Sequence, residues 1–176
     1  MNDSNVQSRA ARIKLLLMDC DGVLTDGRLW VLENNDDQKA FHSRDGFGIE
    51  LLHRAGLESG VISGRTSTAL ARRAHWLGMK YVRQGCEDKD QAFAEILTEA
   101  GLTNTEVAFA GDDLNDVALM LKSGFGIAVA DAAAEVREHA HYVTQARGGR
   151  GAVREIIELI LKSQGRWDEV LRRYLR

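Results

Sequence analysis

Two aspartates separated by a single residue, Asp19 and Asp21, stand directly after an apolar run at 13–18. A hydrophobic strand ending in carboxylates delivers anionic oxygens to the carboxyl edge of a sheet, where open α/β proteins place their chemistry. Two carboxylates that close repel each other unless a cation or a proton lies between them. The pair therefore predicts metal-assisted phosphoryl transfer. Three further pieces follow in order: Ser63-Gly64-Arg65 after the apolar residues 60–62, Lys89 at the start of a helical pattern, and Gly111-Asp112-Asp113-Leu114-Asn115-Asp116 after the apolar residues 107–110. Each alone reads as an ordinary turn, cap or surface residue. Their order on one alternating pattern argues for a shared site.

The elements that must position them alternate throughout. Strands are predicted at 13–18, 59–62, 81–82, 107–110, 126–129 and, weakly, 142–143. Phe93, Ile96, Leu97 and Ala100 follow helical spacing and stop at Gly101. Residues 65–77 read as a helix stopped by Gly78. Val153, Ile156, Ile157, Ile160 and Leu161 form an apolar stripe that closes near Gly165. This alternation predicts a doubly wound α/β fold, its mostly parallel sheet covered by helices on both faces. One insert interrupts it. Residues 27–41 read as a β-hairpin, with a strand at 29–32, a turn at 34–37 and a return at 39–41. Trp30 and Phe41 give the hairpin something to bury, either on its own domain or on a neighbouring subunit. Residues 1–12 read as a flexible lead-in, 13–165 as one domain, and 166–176 as an amphipathic tail that caps the core or reaches a partner.

Composition narrows the function. A formal charge of −3 predicts no attraction to nucleic acid or anionic lipid. No apolar run approaches a membrane span, and the polar start lacks the apolar stretch of a secretory signal. Cys20 and Cys86 are too few for a disulfide framework, which suits a reducing, cytoplasmic setting. His53, His75, His139 and His141 show no metal-ligand spacing.

With these residues in view, the chain resembles the haloacid dehalogenase-like phosphatases from residue 13 to about residue 163, and the four pieces match that superfamily's four motifs. Within it, the stretches at 19–27, 41–49, 62–65, 111–114 and 148–155 resemble the phosphatases of 3-deoxy-D-manno-octulosonate 8-phosphate. The resemblance implies that Asp19 attacks phosphorus and forms an aspartyl-phosphate, and that Asp21 protonates the leaving alkoxide and then activates water. It implies Mg2+ held by an Asp19 side-chain oxygen, the Asp21 main-chain carbonyl and Asp112, with Asp113 and Asp116 orienting the ligands. Ser63, Gly64 and Lys89 would hold the phosphoryl oxygens. Asp113, with Asp21 and Lys89, also belongs to the implied substrate contacts.

The same resemblance places His42, Ser43, Arg44, Asp45, Gly46, Arg65 and Arg73 around an acidic sugar phosphate, the arginines suiting its carboxylate. Arg72, beside Arg73, leaves the choice between the two open. Glu50 stands where the resemblance leads one to expect an arginine, which keeps a nine-carbon ulosonate phosphate as an alternative substrate. Arg150 either enters a neighbour's site or is solvated on a glycine loop. The insert is too short for a helical cap, and the resemblance implies a homotetramer built through it. A receiver-like phosphoacceptor domain would share carboxylates, magnesium and a lysine, but it would lack an acid at the position of Asp21.

Overall fold

A computed structural model describes residues 3–31 and 37–175. Its six-stranded sheet comprises β1 (Leu15–Met18), β4 (Glu58–Ile62), β5 (Tyr81–Arg83), β6 (Val107–Gly111), β7 (Phe125–Ala128) and β8 (Tyr142–Val143). The strands lie in the order β5-β4-β1-β6-β7-β8 and every pairing is parallel. A separate antiparallel pair is formed by β2 (Trp30–Val31) and β3 (Asp37–Gln38). The helices are α1 (Asp3–Ala10), α2 (Ser43–Arg54), α3 (Thr68–Trp76), α4 (Lys89–Ala100), α5 (Val117–Lys122), α6 (Ala134–His139), α7 (Ala152–Ser163) and α8 (Trp167–Arg172).

The strand order dictates the layers. The chain moves from β1 through β4 to β5 in one direction, then crosses back to β6 and continues to β7 and β8. Right-handed crossovers put α2 and α3 on one face and α4, α5 and α6 on the other. The direction reverses beside β1, so the crevice at the carboxyl end of β1 is the topological switch point. Every residue of β1 and β6 is buried, which explains why both read as unbroken apolar runs instead of alternating ones. The stripe of α7 is fully buried at Val153, Ile156, Ile157, Ile160 and Leu161, and α7 packs against α2 and α1.

Several elements differ from the sequence reading. Residues Asp3–Ala10 are helical where a flexible lead-in was expected, because Val6 and Ala10 meet the core and Arg9 Nη1 donates to Gly124 O at 2.7 Å. The helix predicted from residue 65 starts at Thr68. Ser67 caps it, its Oγ accepting from Leu70 N at 3.1 Å. The hairpin's return strand is Asp37–Gln38, which leaves Lys39, Ala40 and Phe41 outside it. Most of the expected turn at 34–37 lies outside the described residues. Helix α2 has no counterpart in the sequence reading, since Gly46 and Gly48 interrupt its pattern. Among the described residues no helix is long and apolar enough to cross a membrane.

Candidate active site

The parallel register brings the first and fourth acidic pieces together. Met18 pairs with Ala110, and Asp19 N donates to Ala110 O at 2.9 Å, so Asp19 leaves β1 level with the end of β6. On the other side Met18 pairs with Val61, which puts Ser63 at the neighbouring strand end. After Asp19 the chain makes a wide turn, Cys20–Leu24, with Gly22 at φ +106°. A Cβ on Gly22 would lie 2.0 Å from Asp112 Oδ2. Glycine is thus required twice there, for the backbone angle and for the approach of Asp112. Thr25 pins the turn, its Oγ1 accepting from Gly22 N and Gly27 N.

Lys89, the first residue of α4, points into this crevice. Its Nζ donates to Asp19 Oδ1 at 2.8 Å and to Asp116 Oδ1 at 2.7 Å. All three groups are buried: Asp19 is 6% exposed, Lys89 7% and Asp116 0%. Asp116 Oδ2 accepts from the backbone N–H groups of Asp112 (3.0 Å) and Asp113 (3.4 Å), so both Asp116 oxygens are engaged. Asp116 therefore shapes the loop that aims Asp112. Asp113 is exposed and caps the following short turn, its Oδ1 accepting from Leu114 N.

Asp19, Asp112 and Asp116 each offer a carboxylate oxygen, and these lie within 4.8 Å of one another. The charges are poorly compensated. Burial, then the Asp19, Asp116 and Asp113 charges, push the Asp112 carboxyl up to about 8. Burial and Asp116 raise Asp19 to about 6, against the opposing pull of Lys89. Burial alone would lower the Lys89 ammonium, but Asp19 and Asp116 outweigh it and hold its pKa above the ordinary lysine value. Asp112 Oδ1 is buried with no hydrogen-bond partner. A hard divalent cation accepts such oxygens and removes the mutual repulsion. With Asp116 already satisfied, Asp19 and Asp112 are the side chains that fit it. Among the described residues the Asp21 carboxylate belongs to no such group; Lys39 Nζ donates to its Oδ1 at 2.5 Å.

The remaining candidates divide. Ser63 is buried at the end of β4, with Oγ accepting from Arg65 N at 3.3 Å, and Gly64 beside it is exposed. Arg65 is exposed with Nε 3.9 Å from Asp21 Oδ2. Ser43 and Arg44 are exposed in the first turn of α2, and His42 is the residue before it. Arg73 lies over the Phe41 ring, 5.8 Å from its centroid, and a Cβ on Gly46 would meet its Nη2 at 2.1 Å. That contact turns Arg73, and not the exposed Arg72, towards the 41–46 segment. Asp45, expected as a substrate contact, is held inside the fold. It is 2% exposed, and its oxygens accept from Gly151 N at 3.1 Å and Arg154 N at 2.8 Å at the start of α7. Glu50 is exposed and pairs along its own helix with Arg54 at 3.5 Å.

Two functional features escaped the sequence reading. Lys39 carries no local signal beyond being one lysine in a polar hairpin. Gly148 and Gly149 read as a glycine loop, yet they buttress the site. A Cβ on Gly148 would lie 1.6 Å from Gly22 O, and Gly149 N donates to Val23 O at 2.8 Å. Arg150 is solvent-facing and donates to Asp26 Oδ2 at 3.3 Å. Cys20 is fully buried in the core, His53 bonds Ser59 Oγ at 2.8 Å, and His141 Nδ1 accepts from Gly126 N at 2.9 Å.

A carboxylate at the switch point, clamped by a lysine and faced by a second acidic loop, suits phosphoryl transfer, and similarity to known proteins fixes the class: the chain belongs to the haloacid dehalogenase-like hydrolases. A family model described as haloacid dehalogenase-like hydrolase matches residues 67–157. Among individual proteins, the chain is 40% identical over 166 residues to the 3-deoxy-D-manno-octulosonate 8-phosphate phosphatase of Escherichia coli strain B / BL21-DE3, covering 94% of this chain and 88% of that one. It is also similar to the crystal structure of the phosphatase of the same name from Moraxella catarrhalis, in complex with magnesium ion, phosphate ion and a KDO molecule. There the TM-score is 0.95 at 36% identity, over 98% of this chain and 99% of that one. The Yersinia pestis phosphatase of that name superposes with a TM-score of 0.91 at 41% identity, over 93% and 89% of the two chains.

Proposed function

We propose that this chain is a magnesium-dependent phosphomonoesterase that hydrolyses 3-deoxy-D-manno-octulosonate 8-phosphate to the free sugar acid and phosphate. One observation carries the reading. Asp19 leaves the central strand held by Lys89 on one oxygen and faced by Asp112, whose buried Oδ1 has no partner. Similarity to phosphatases of that substrate over nearly the whole chain supports the choice of sugar.

Asp19 is the nucleophile. Its free oxygen attacks phosphorus as the bond to the sugar oxygen breaks. Asp21 donates a proton to that departing oxygen, then takes one from the water that cleaves the aspartyl-phosphate. Lys89 neutralises charge on the phosphoryl oxygens, and Ser63 and Gly64 offer hydrogen bonds to them. Mg2+, held by Asp19, the Asp21 main-chain carbonyl and Asp112, supplies Lewis-acid stabilisation of the same charge when bound. Asp116 and Asp113 set the loop that carries Asp112. His42, Ser43, Arg44, Arg65 and Arg73 gather round the sugar acid, and Gly46 lets Arg73 approach. Asp45 acts only through the α7 loop.

The exposed Leu29 and Trp30 on the hairpin support assembly into a homotetramer in which a neighbour covers the open site. A cytoplasmic location fits a chain whose sequence holds two cysteines, too few for a disulfide framework. Glu50 pairs with Arg54 along its own helix, and similarity to octulosonate phosphatases over nearly the whole chain favours the eight-carbon substrate over a nine-carbon one. Phosphate release from the two ulosonate phosphates, measured side by side with Mg2+, tests the assignment. A kcat/KM at least tenfold higher for the octulosonate supports it, and the reverse preference overturns it.

A further inference from the structure

Lys39 stands just beyond β3, the return strand of the hairpin, yet its side chain is only 2% exposed. Burying an ammonium is costly without a charged partner. The Asp21 carboxylate is such a partner, with Lys39 Nζ 2.5 Å from Oδ1. The other oxygen, Asp21 Oδ2, is buried and makes no hydrogen bond; Arg65 Nε lies 3.9 Å from it, beyond bonding distance. The segment carrying Lys39 is anchored two residues on, where Phe41 packs against the core beneath Arg73.

We infer that Lys39 is a positioning residue for the proposed reaction: it tethers Asp21 by one oxygen, so that the other alone handles the transferred proton. The tether has two physical effects. It fixes the rotamer of an acid that must serve two steps in one place. It also sets a cation against the Asp21 carboxylate, offsetting its repulsion by the neighbouring acids. In the first step the proton on Oδ2 passes to the sugar oxygen as its bond to phosphorus breaks. In the second, Oδ2 takes a proton from water as the water oxygen bonds phosphorus and the Asp19–phosphorus bond breaks. The hairpin thereby carries part of the catalytic geometry within its own chain. This inference rests on the role proposed for Asp21.

Lys39→Met, Lys39→Arg, Asp21→Asn and the double variant Lys39→Met/Asp21→Asn are compared with p-nitrophenyl phosphate and Mg2+. That leaving group needs no acid, so only the second step should suffer. Lys39→Met is expected to release about one equivalent of nitrophenolate in a burst and then turn over about 10- to 100-fold more slowly, within the range of general acid–base contributions. Lys39→Arg should recover most of the rate. In the Asp21→Asn background the Lys39→Met change should cost less than about twofold, because its effect runs through Asp21. A Lys39→Met rate within twofold of the unmodified enzyme overturns the tether, and so do losses that multiply in the double variant. Asp21→Asn turning over at the unmodified rate overturns the underlying role of Asp21 instead.

Discussion

Asp112 shows at the level of one residue how a site can oppose the stability of its own fold. Its carboxyl is pushed up to about 8 by burial and by Asp19, Asp116 and Asp113. The folded protein therefore holds this proton more tightly than the unfolded chain, whose aspartates titrate near the ordinary value of 3.8. Without metal, the destabilisation is absent below about pH 4, grows as pH rises, and is complete above about pH 8. Asp112→Asn should raise metal-free stability at pH 8 by about 1–2 kcal/mol in urea titrations while abolishing Mg2+-dependent turnover. Magnesium binding should strengthen as pH rises through the same window, which calorimetry at several pH values would check. Gly22→Ala makes the opposite test. Its Cβ would collide with Asp112 Oδ2 at a φ of +106°, so both stability and metal affinity should fall. At this scale the sequence was legible wherever chemistry and strand ends coincide, as at Asp19, Ser63, Lys89 and Asp112. The cap that Asp45 makes on α7 was not legible, because an aspartate aimed at substrate and one capping a distant helix look alike in one dimension. Lys39 was silent for the same reason: its partner Asp21 lies 18 residues away.

Among the elements, α7 is the least self-sufficient and the most informative. The residue before it is Gly151, with φ +108° and no side chain to cap its first amides. Asp45 caps them from α2, binding Gly151 N and Arg154 N and favouring the helix dipole. The same link ties the 42–46 segment to the Gly148–Gly149 loop that rests on the turn after β1. Asp45→Ala should cost about 1–2 kcal/mol of stability and speed amide exchange in the first turn of α7. Loosening should then spread to the site, seen as a rise in KM larger than the fall in kcat. Ile160→Ala, in the fully buried stripe, should cost about 2–5 kcal/mol and leave KM unchanged. The stripe itself was plain in the sequence, because five apolar residues at helical spacing have few other uses. Helix α2 was hidden by its glycines, which serve close packing: Gly46 against Arg73 and Gly48 against Arg154.

At the scale of the whole molecule, the described residues form a six-stranded sheet with the candidate site at its carboxyl rim. The alternation of strands and helices made this fold readable, and the burial of β1 and β6 explains why their runs were unbroken. Strand order was not readable, since pairing of β1 with both β4 and β6 depends on contacts far apart in the chain. The exposed Leu29 and Trp30 predict that Trp30→Lys converts the proposed tetramer into smaller species by light scattering, with weaker substrate binding as the covering neighbour is lost. The proposed reaction itself rests on Asp19 carrying the phosphoryl group. The most direct measurement is borohydride reduction and peptide mass spectrometry of the Asp21→Asn variant after brief exposure to substrate and Mg2+. Reduction of a trapped acyl phosphate should convert residue 19, and no other, to homoserine. Label at a different residue, or unimpaired Mg2+-dependent turnover in Asp19→Asn, would contradict it.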